Sequence, residues 1–172
     1  MSTTDSQAVR EVLAERARSI ARPEAGAEAV ESRSLLVVAL GRERYGLPVE
    51  HVREIRPLGT LARVPGVADR WLGLTNARGQ LVAVLDLARH LSADGGAGDD
   101  PHLVLVESDG LVVGLAVQGA AELSTVAVAD IGPLLASSEG APLLGLTPDL
   151  VAILDVPALL ADPALVVRDA GE

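Results

Sequence analysis

The sequence predicts a mostly β protein, built as two similar lobes in tandem behind an N-terminal helical extension. Three observations carry that prediction. Residues 35–55 return without a gap 68 positions later: Leu35-Leu36-Val37-Val38 lies over Leu103-Val104-Leu105-Val106, Gly46-Leu47-Pro48-Val49 over Gly114-Leu115-Ala116-Val117, and Glu54-Ile55 over Glu122-Leu123. A second match sets Leu72-Gly73-Leu74-Thr75 against Leu144-Gly145-Leu146-Thr147, and Leu85-Asp86-Leu87 against Leu154-Asp155-Val156. Finally, the apolar period changes from helical to strand-like at Ser34. A duplicated plan implies a pseudo-twofold scaffold in which each β unit hides its apolar face against the other. A lobe of about 60–70 residues is marginal alone, so the two are expected to pack tightly rather than swing on a linker.

Residues 1–33 form the helical and flexible extension. Val9, Val12, Leu13, Ala17 and Ile20 recur at helical spacing, Thr4 with Gln7 resembles a capping box, and Pro23 and Gly26 stop the pattern. This sets a helix over about residues 6–21. Its stripe is narrow, so residues 1–30 are expected to be dispensable for the β body. From Ser34, Leu35–Leu40 reads as a strand, Gly41-Arg42-Glu43 as a turn and Arg44–Val49 as the hairpin partner. Val49–Ile55 mixes both periods and predicts a kinked strand with a helical turn. Pro57, Gly59, Pro65 and Gly66 punctuate a loop. Trp71–Thr75 and Gln80–Leu85 read as strands around Asn76-Ala77-Arg78-Gly79, and Asp86–Leu91 closes the first lobe (34–91) as a short helix.

Residues 92–101, rich in Gly and Asp, form a linker with no core of its own. The second lobe (102–162) repeats the plan. It has strands near 102–107 and 111–118, a kinked segment to Leu123, an irregular stretch through Pro133 and Gly140, and strands near 143–147 and 150–155. Asp162-Pro163 ends a last short helix, and 163–172 is a tail. One place breaks the symmetry: Thr75 to Leu85 is ten positions, whereas Thr147 to Leu154 is seven. The first hairpin turn is therefore expected to be enlarged, and it carries Asn76, Arg78 and Gly79 where the second copy has Pro148-Asp149. Ordinary hairpin chemistry accounts for Asn76 and Gly79, which tolerate positive φ. No turn type requires Arg78, which makes it a candidate functional residue.

Composition removes several function classes. Phe is absent and Trp71 and Tyr45 are the only aromatics, so the core is built from Leu, Val, Ile and Ala and offers little for base stacking. Cys is absent, which excludes disulfides, thiolate nucleophiles and thiolate metal sites. The start is polar and acidic, and the longest apolar runs are far too short to cross a bilayer, so no direct membrane insertion and a cytoplasmic location are expected. A net charge of −10 argues against nucleic acid as a partner. The charge is uneven: residues 1–89 hold 13 Arg against 11 acids, and residues 90–172 hold Arg168 against 13 acids. The contrast reads either as solubility or as an acidic lobe that meets something basic.

A search for catalytic chemistry finds none. His51, His90 and His102 are scattered without a ligand at i+2 or i+4, so no metal site is expected. No Gly-x-Ser-x-Gly turn marks a nucleophile. Asp86 and Asp155 repeat, each just before an apolar helix-like segment, which fits helix N-capping better than acid/base work. Gly95–Gly98 lacks the Gly-Lys-Ser/Thr of a phosphate loop and stands beside acids. Neither a catalytic residue nor a cofactor is expected. Glu54 and Glu122 also repeat, and Glu54 has a possible partner in Arg78.

Read together, several segments resemble the CheW-like domain of bacterial chemotaxis adaptors. The residues that carry the resemblance are Leu40-Gly41, Tyr45-Gly46-Leu47-Pro48-Val49 and Val52-Arg53-Glu54-Ile55, then Leu72-Gly73-Leu74-Thr75-Asn76-Ala77-Arg78-Gly79 and Leu81-Val82-Ala83-Val84-Leu85-Asp86-Leu87. Val112-Val113-Gly114-Leu115-Ala116-Val117 and Ile153-Leu154-Asp155 add to it from the second lobe. The match covers residues 34–162. The resemblance implies two SH3-like five-stranded β-barrels sharing an apolar seam. It implies a non-enzymatic adaptor whose partners are the regulatory domain of a CheA-type histidine kinase and the cytoplasmic tip of a chemoreceptor. It also implies partner-binding roles for Val52, Glu54, Arg78 and Gly79. The family's usual Asn-Leu-Arg-Gly is here Asn76-Ala77-Arg78-Gly79, and its usual Pro in the next strand is Ala83. The long extension before residue 34 points to a divergent signalling output such as gliding or pili.

Two rival readings stand beside the adaptor. One is a small-molecule-binding β-barrel or minor enzyme with its site in the inter-lobe seam. The other keeps the fold but makes the chain a structural subunit of an array with no receptor contact.

Overall fold

The computed structural model describes residues 29–135 and 140–166. The helix expected over residues 6–21, with Thr4 and Gln7, lies outside the described residues, as does the tail beyond 166. Along the described chain run β1 (Ser32–Leu40), β2 (Glu43–Pro48), β3 (Val52–Pro57), β4 (Trp71–Ala77), β5 (Gln80–Asp86), helix α1 (Leu87–Leu91), β6 (Pro101–Ser108), β7 (Leu111–Ala127), β8 (Leu143–Leu146), β9 (Ala152–Leu154) and helix α2 (Val156–Leu160). The mixed period of residues 49–55 resolves into a single 3₁₀ turn, Val49–His51, leading into β3. Asp86 and Asp155 cap the helices, their Oδ1 atoms accepting from the N–H of Arg89 (3.1 Å) and Ala158 (3.0 Å).

The apolar runs at residues 35–38 and 103–106 do not alternate because both faces of β1 and β6 are buried. Leu36, Val38 and Leu40 of β1 and Val104 and Val106 of β6 turn toward one shared cluster, joined by Leu47, Leu85, Leu87, Leu115, Val117, Leu154, Val156 and Leu159. Leu35 and Val37 face a second cluster with Val151 and Ile153, while Leu103 and Leu105 face a third with Val82, Val84 and Ala116. The first cluster is the seam, and the other two are the interiors of two barrels. A strand buried on both sides reads as a continuous apolar run, whereas one facing water on one side would alternate.

The two barrels draw on both copies of the repeat. In the first, β3 pairs with β6, β6 with the start of β7, β7 in parallel with β5, and β5 with β4. In the second, the end of β7 pairs with β1, β1 with β2, β2 in parallel with β9, and β9 with β8. Single bridges complete the two rings: Ala62 to Leu74 in the first and Gly132 to Leu146 in the second. Gly73 and Gly145 repeat because the chain passes so close there. A Cβ would lie 2.4 Å from the Ala62 carbonyl oxygen at the first and 2.7 Å from that of Gly132 at the second. The registers obey the repeat as well, with Ile55 opposite Val104 and Leu123 opposite Leu36.

The chain stretches 34–91 and 102–162 thus exchange strands. Each gives its first two strands to one barrel and the rest to the other. The single strand β7, 17 residues long, runs through both barrels, and Gly119 (φ +68°) sits near its crossing point. Exchange also dilutes the charge contrast read along the chain. Residues 52–91 and 101–118 hold six Arg against five acids, while 32–51, 119–135 and 140–162 hold three Arg against seven.

The linker is docked, and one expectation is corrected. The Gly-rich linker has no core of its own, yet it is held against the body. Ala93 N–H donates to the Ala88 carbonyl (2.8 Å) and Gly119 N–H to that of Asp100 (3.2 Å), and the linker crosses the β1–β2 turn so closely that a Cβ on Gly41 would lie 2.1 Å from the Asp94 carbonyl oxygen. The first hairpin has longer strands rather than an enlarged turn: β4 and β5 pair down to Ala77 opposite Gln80, leaving only Arg78 and Gly79 in the turn.

Gly41 also has a φ of +62°, so Gly41→Ala meets both strain and overlap. Thermal unfolding should show a loss of about 1–3 kcal/mol. Strand exchange predicts that segments 32–91 and 102–166, produced separately, lack cooperative unfolding and regain it on mixing; a cooperative transition in either segment alone contradicts it.

His90 on α1 supplies a pH test. Its side chain is 3% exposed, Nε2 lies 3.2 Å from Asp162 Oδ2, and Nδ1 is buried without a partner. Burial pushes its pKa below the usual 6.5, with Asp162 opposing and Arg70 adding to the shift. The unfolded chain therefore binds this proton more readily than the folded one. The resulting stabilisation is complete above the unfolded value and is lost as pH falls below 6.5. Urea midpoints should drop across that window, and His90→Asn should flatten this part of the profile.

Candidate functional site

Strand alternation places Glu54 and Arg56 on one half-buried face of β3. The β4–β5 hairpin brings Arg78 to the same place from the other side. Arg78 Nε donates to Glu54 Oε2 at 3.1 Å, and Arg56 Nε stands 3.6 Å from Glu54 Oε1, so one carboxylate is held between two guanidinium groups. Glu54 is 25% exposed and Arg78 is 84% exposed. Arg56 is fixed further by donating from Nη2 to the Asn76 carbonyl at 2.9 Å. The site is therefore tied to paired strands rather than to a long loop.

The turn that carries Arg78 is a two-residue hairpin turn with positive φ at both positions, +53° at Arg78 and +85° at Gly79. Gly79 suits this geometry, and its N–H donates to Asn76 Oδ1 at 2.8 Å. Asn76 and Gly79 thus serve the turn, as hairpin chemistry predicts. Arg78 does not suit it: a left-handed residue with a Cβ costs about 1–2 kcal/mol, and Gly or Asn would remove most of that cost. The exposed ion pair to Glu54 returns at most about 1 kcal/mol. An arginine is kept here at no gain in stability.

Arg53, Glu54, Ala77, Arg78, Gln80, Val82, Leu105 and Val112 line an open groove of about 380 Å³. Its floor is apolar, and its rim carries the charges. Arg53 is ion-paired with Glu107, and His51 Nδ1 lies 3.1 Å from the Glu107 carbonyl, which ties this rim to β6. Of the residues expected at a partner surface, Glu54, Arg78 and Gly79 come together. Val52 is half-buried against the seam cluster, so only part of it can be offered outward. Sequence reasoning missed Arg56 and Glu107. The period-2 spacing of 54 and 56 was the available signal for Arg56, whereas Glu107 needed the β3–β6 pairing.

The repeat places a second groove in the other barrel. Val37, Arg44, Asp149 and Val151 stand there where Leu105, Val112, Gln80 and Val82 stand in the first, and Pro148 replaces the hairpin cation. Glu122, the copy of Glu54, is 76% exposed and lies 3.8 Å from Arg44. The two copies of the glutamate therefore sit in different settings. No group of three or more His, Asp or Glu able to hold a metal occurs among the described residues. The same residues contain no helix long and apolar enough to cross a membrane.

Comparison with known proteins agrees with this architecture. The CheW-like domain family matches residues 34–164. Chemotaxis protein CheW of Klebsiella aerogenes is 32% identical over 99 residues, which is 57% of this chain and 60% of that protein, so the matched segment falls short of two thirds of its length. Protein FrzA of Myxococcus xanthus is 31% identical over 108 residues, 62% of this chain and 68% of that protein. Among solved structures, the scaffolding protein TtCheW of Thermoanaerobacter tengcongensis superposes with a TM-score of 0.65 at 25% identity, covering 71% of this chain and 88% of that one. A family match over most of the chain, joined to the paired barrels and their shared seam, makes this protein a member of the CheW-like domain family.

Proposed function

We propose that this chain is a non-enzymatic signalling adaptor that couples chemoreceptors to a CheA-type histidine kinase in a chemotaxis or chemotaxis-like pathway. The observation that carries the reading is Arg78: an exposed cation, anchored to Glu54 and held in a conformation that costs stability, at the rim of a groove with an apolar floor. A guanidinium steadied in this way is preorganised to meet a carboxylate or carbonyl of a partner. Val52, Glu54, Arg78 and Gly79 form the partner-facing set in this proposal, with Arg56 holding Glu54 in place. The names of the relatives, a chemotaxis protein and a scaffolding protein, support the same reading. A site in the seam is disfavoured by its contents, since Leu36, Leu85, Leu115 and Leu154 fill it at 0–2% exposure.

Arg78→Gly separates partner binding from stability. Removing the left-handed Cβ offsets the lost exposed ion pair, so the melting temperature should stay the same or rise. Affinity for the regulatory domain of the kinase, or for the receptor tip, should fall about tenfold or more, as expected when a charged hydrogen-bonding contact is lost at an interface. Titration calorimetry with each purified partner reads this directly. Equal affinity of mutant and wild type for both partners removes Arg78 from the interface. No binding by the wild type to either one sinks the adaptor reading.

A further inference from the structure

We propose that the outer face of the β4–β5 hairpin is a second docking site, one that takes an acidic peptide segment carrying a single bulky apolar anchor. Leu74 and Ala83 are a cross-strand pair on that face, opposite in direction to the buried Thr75, Val82 and Val84. With Val64, Val67, Trp71 and Gly73 they line an open socket of about 250 Å³. The wall formed by the chain before β4 is fixed, because Ala62 and Leu74 exchange two backbone hydrogen bonds of 2.8 Å. The socket shares no lining residue with the groove beside Arg78.

Chemistry selects the occupant. Water in an apolar socket lacks the polar partners that would hold it, so an aliphatic or aromatic side chain is the favoured guest. The surroundings are cationic. Through Val64, Val67 and Trp71 the apolar wall continues into a trough reaching Arg63, Asp69 and Arg89. Arg89 is occupied, its Nε 3.4 Å from Asp86 Oδ2 and its Nη1 donating to the Asp69 carbonyl. Arg63 has no ion-pair partner among the described residues, and Asp69 is the one acid lining the trough. Arg63 and Arg89 give this wall two cations against the single carboxylate of Asp69. They complement carboxylates that flank an anchor residue. A nucleic acid would need a broader basic footprint than this face carries.

Trp71 is the only tryptophan of the chain and lines the socket, so its emission reports occupancy. The probe is a set of short Gly/Ser peptides bearing one Leu, Met or Phe flanked by acids. Controls replace the acids by Lys or the anchor by Ala. Saturable change in Trp71 emission is expected for the acidic, anchored peptides alone, weakening as salt is raised. Ala83→Leu, which fills the socket from an outward position, should abolish the change while unfolding as wild type does. Arg63→Glu should weaken the acidic peptides roughly fivefold, the value of about 1 kcal/mol. Arg78→Gly should leave this binding untouched, which keeps the result separate from the adaptor proposal. The inference is overturned by a flat response to every anchored acidic peptide, by equal binding of acidic and Lys peptides, or by an unchanged response in Ala83→Leu. An emission change that follows protein concentration alone also overturns it, since a second copy would then be the occupant.

Discussion

The constraint on which the fold depends is that β1 and β6 must be covered on both faces. A strand segment with Leu and Val on both faces cannot rest against water on either side, so each needs a barrel interior on one face and a second layer on the other. The repeat supplies two such strands, and the seam is where their second faces meet: Leu36 and Val38 from one, Val104 and Val106 from the other. Neither barrel interior is large, since buried Leu35, Val37, Val151 and Ile153 make up one and Val82, Val84, Leu103, Leu105 and Ala116 the other. The seam gathers more buried residues than both interiors together, including the first residues of α1 and α2. The helices accordingly act as plugs. Each is one turn long, capped by an aspartate, and drives Leu87 or Val156 into the shared cluster.

Strand exchange follows from the same need. If each chain half closed its own barrel, β1 would have to turn back on its own β3, and the seam would be a docking surface between finished units. Instead β3 lies on β6 and the end of β7 lies on β1, and the parallel pairs β5–β7 and β2–β9 join the halves again, so the hydrogen-bonded ladders cross between halves at two equivalent pairs of places. The cost of opening the seam therefore includes backbone pairing as well as apolar contact. The docked linker adds to this, since residues 93–100 hold the β1–β2 turn and the crossing point of β7 in one place.

Element positions were legible because they rest on local chemistry. Leu35–Leu40, Trp71–Thr75 and Gln80–Leu85 are strands as their periods predict, the kink at 49–51 is a 3₁₀ turn, and Asp86 and Asp155 are caps. The exchange was not legible, for a definite reason. In a repeat with equal offsets, β3 presents nearly the same apolar pattern to β1 as to β6, so side-chain matching alone does not choose between them. The docking of the linker was not legible because it uses backbone groups and absent Cβ atoms, which composition does not register. In the site, Glu54 and Arg78 were legible as a charge pair across a hairpin. Arg56 was hidden by its ordinary role as one more surface arginine, and the two-residue turn was hidden by counting residues without knowing where pairing stops.

The asymmetry between the two copies is where a symmetric scaffold acquires a specific surface. Glu54 lies between Arg56 and Arg78, whereas its copy Glu122 stands largely in solvent with Arg44 at 3.8 Å. The difference traces to the hairpins. A two-residue turn with long strands projects Arg78 back over β3, while the second copy closes through Thr147, whose Oγ1 accepts from Val151 N–H at 3.1 Å, and leaves Leu150 outward at φ +61°. Both hairpins hang from the same seam through Leu85 and Leu154. Because β3 is paired to β6, the Glu54 site belongs to strands from both halves of the chain. The Glu54 carboxylate that orients Arg78 is therefore carried by a strand anchored through β6 to the seam, not by the hairpin alone. That gives the groove a rigid base, as a surface needs if it is to recognise a partner by the position of one charge.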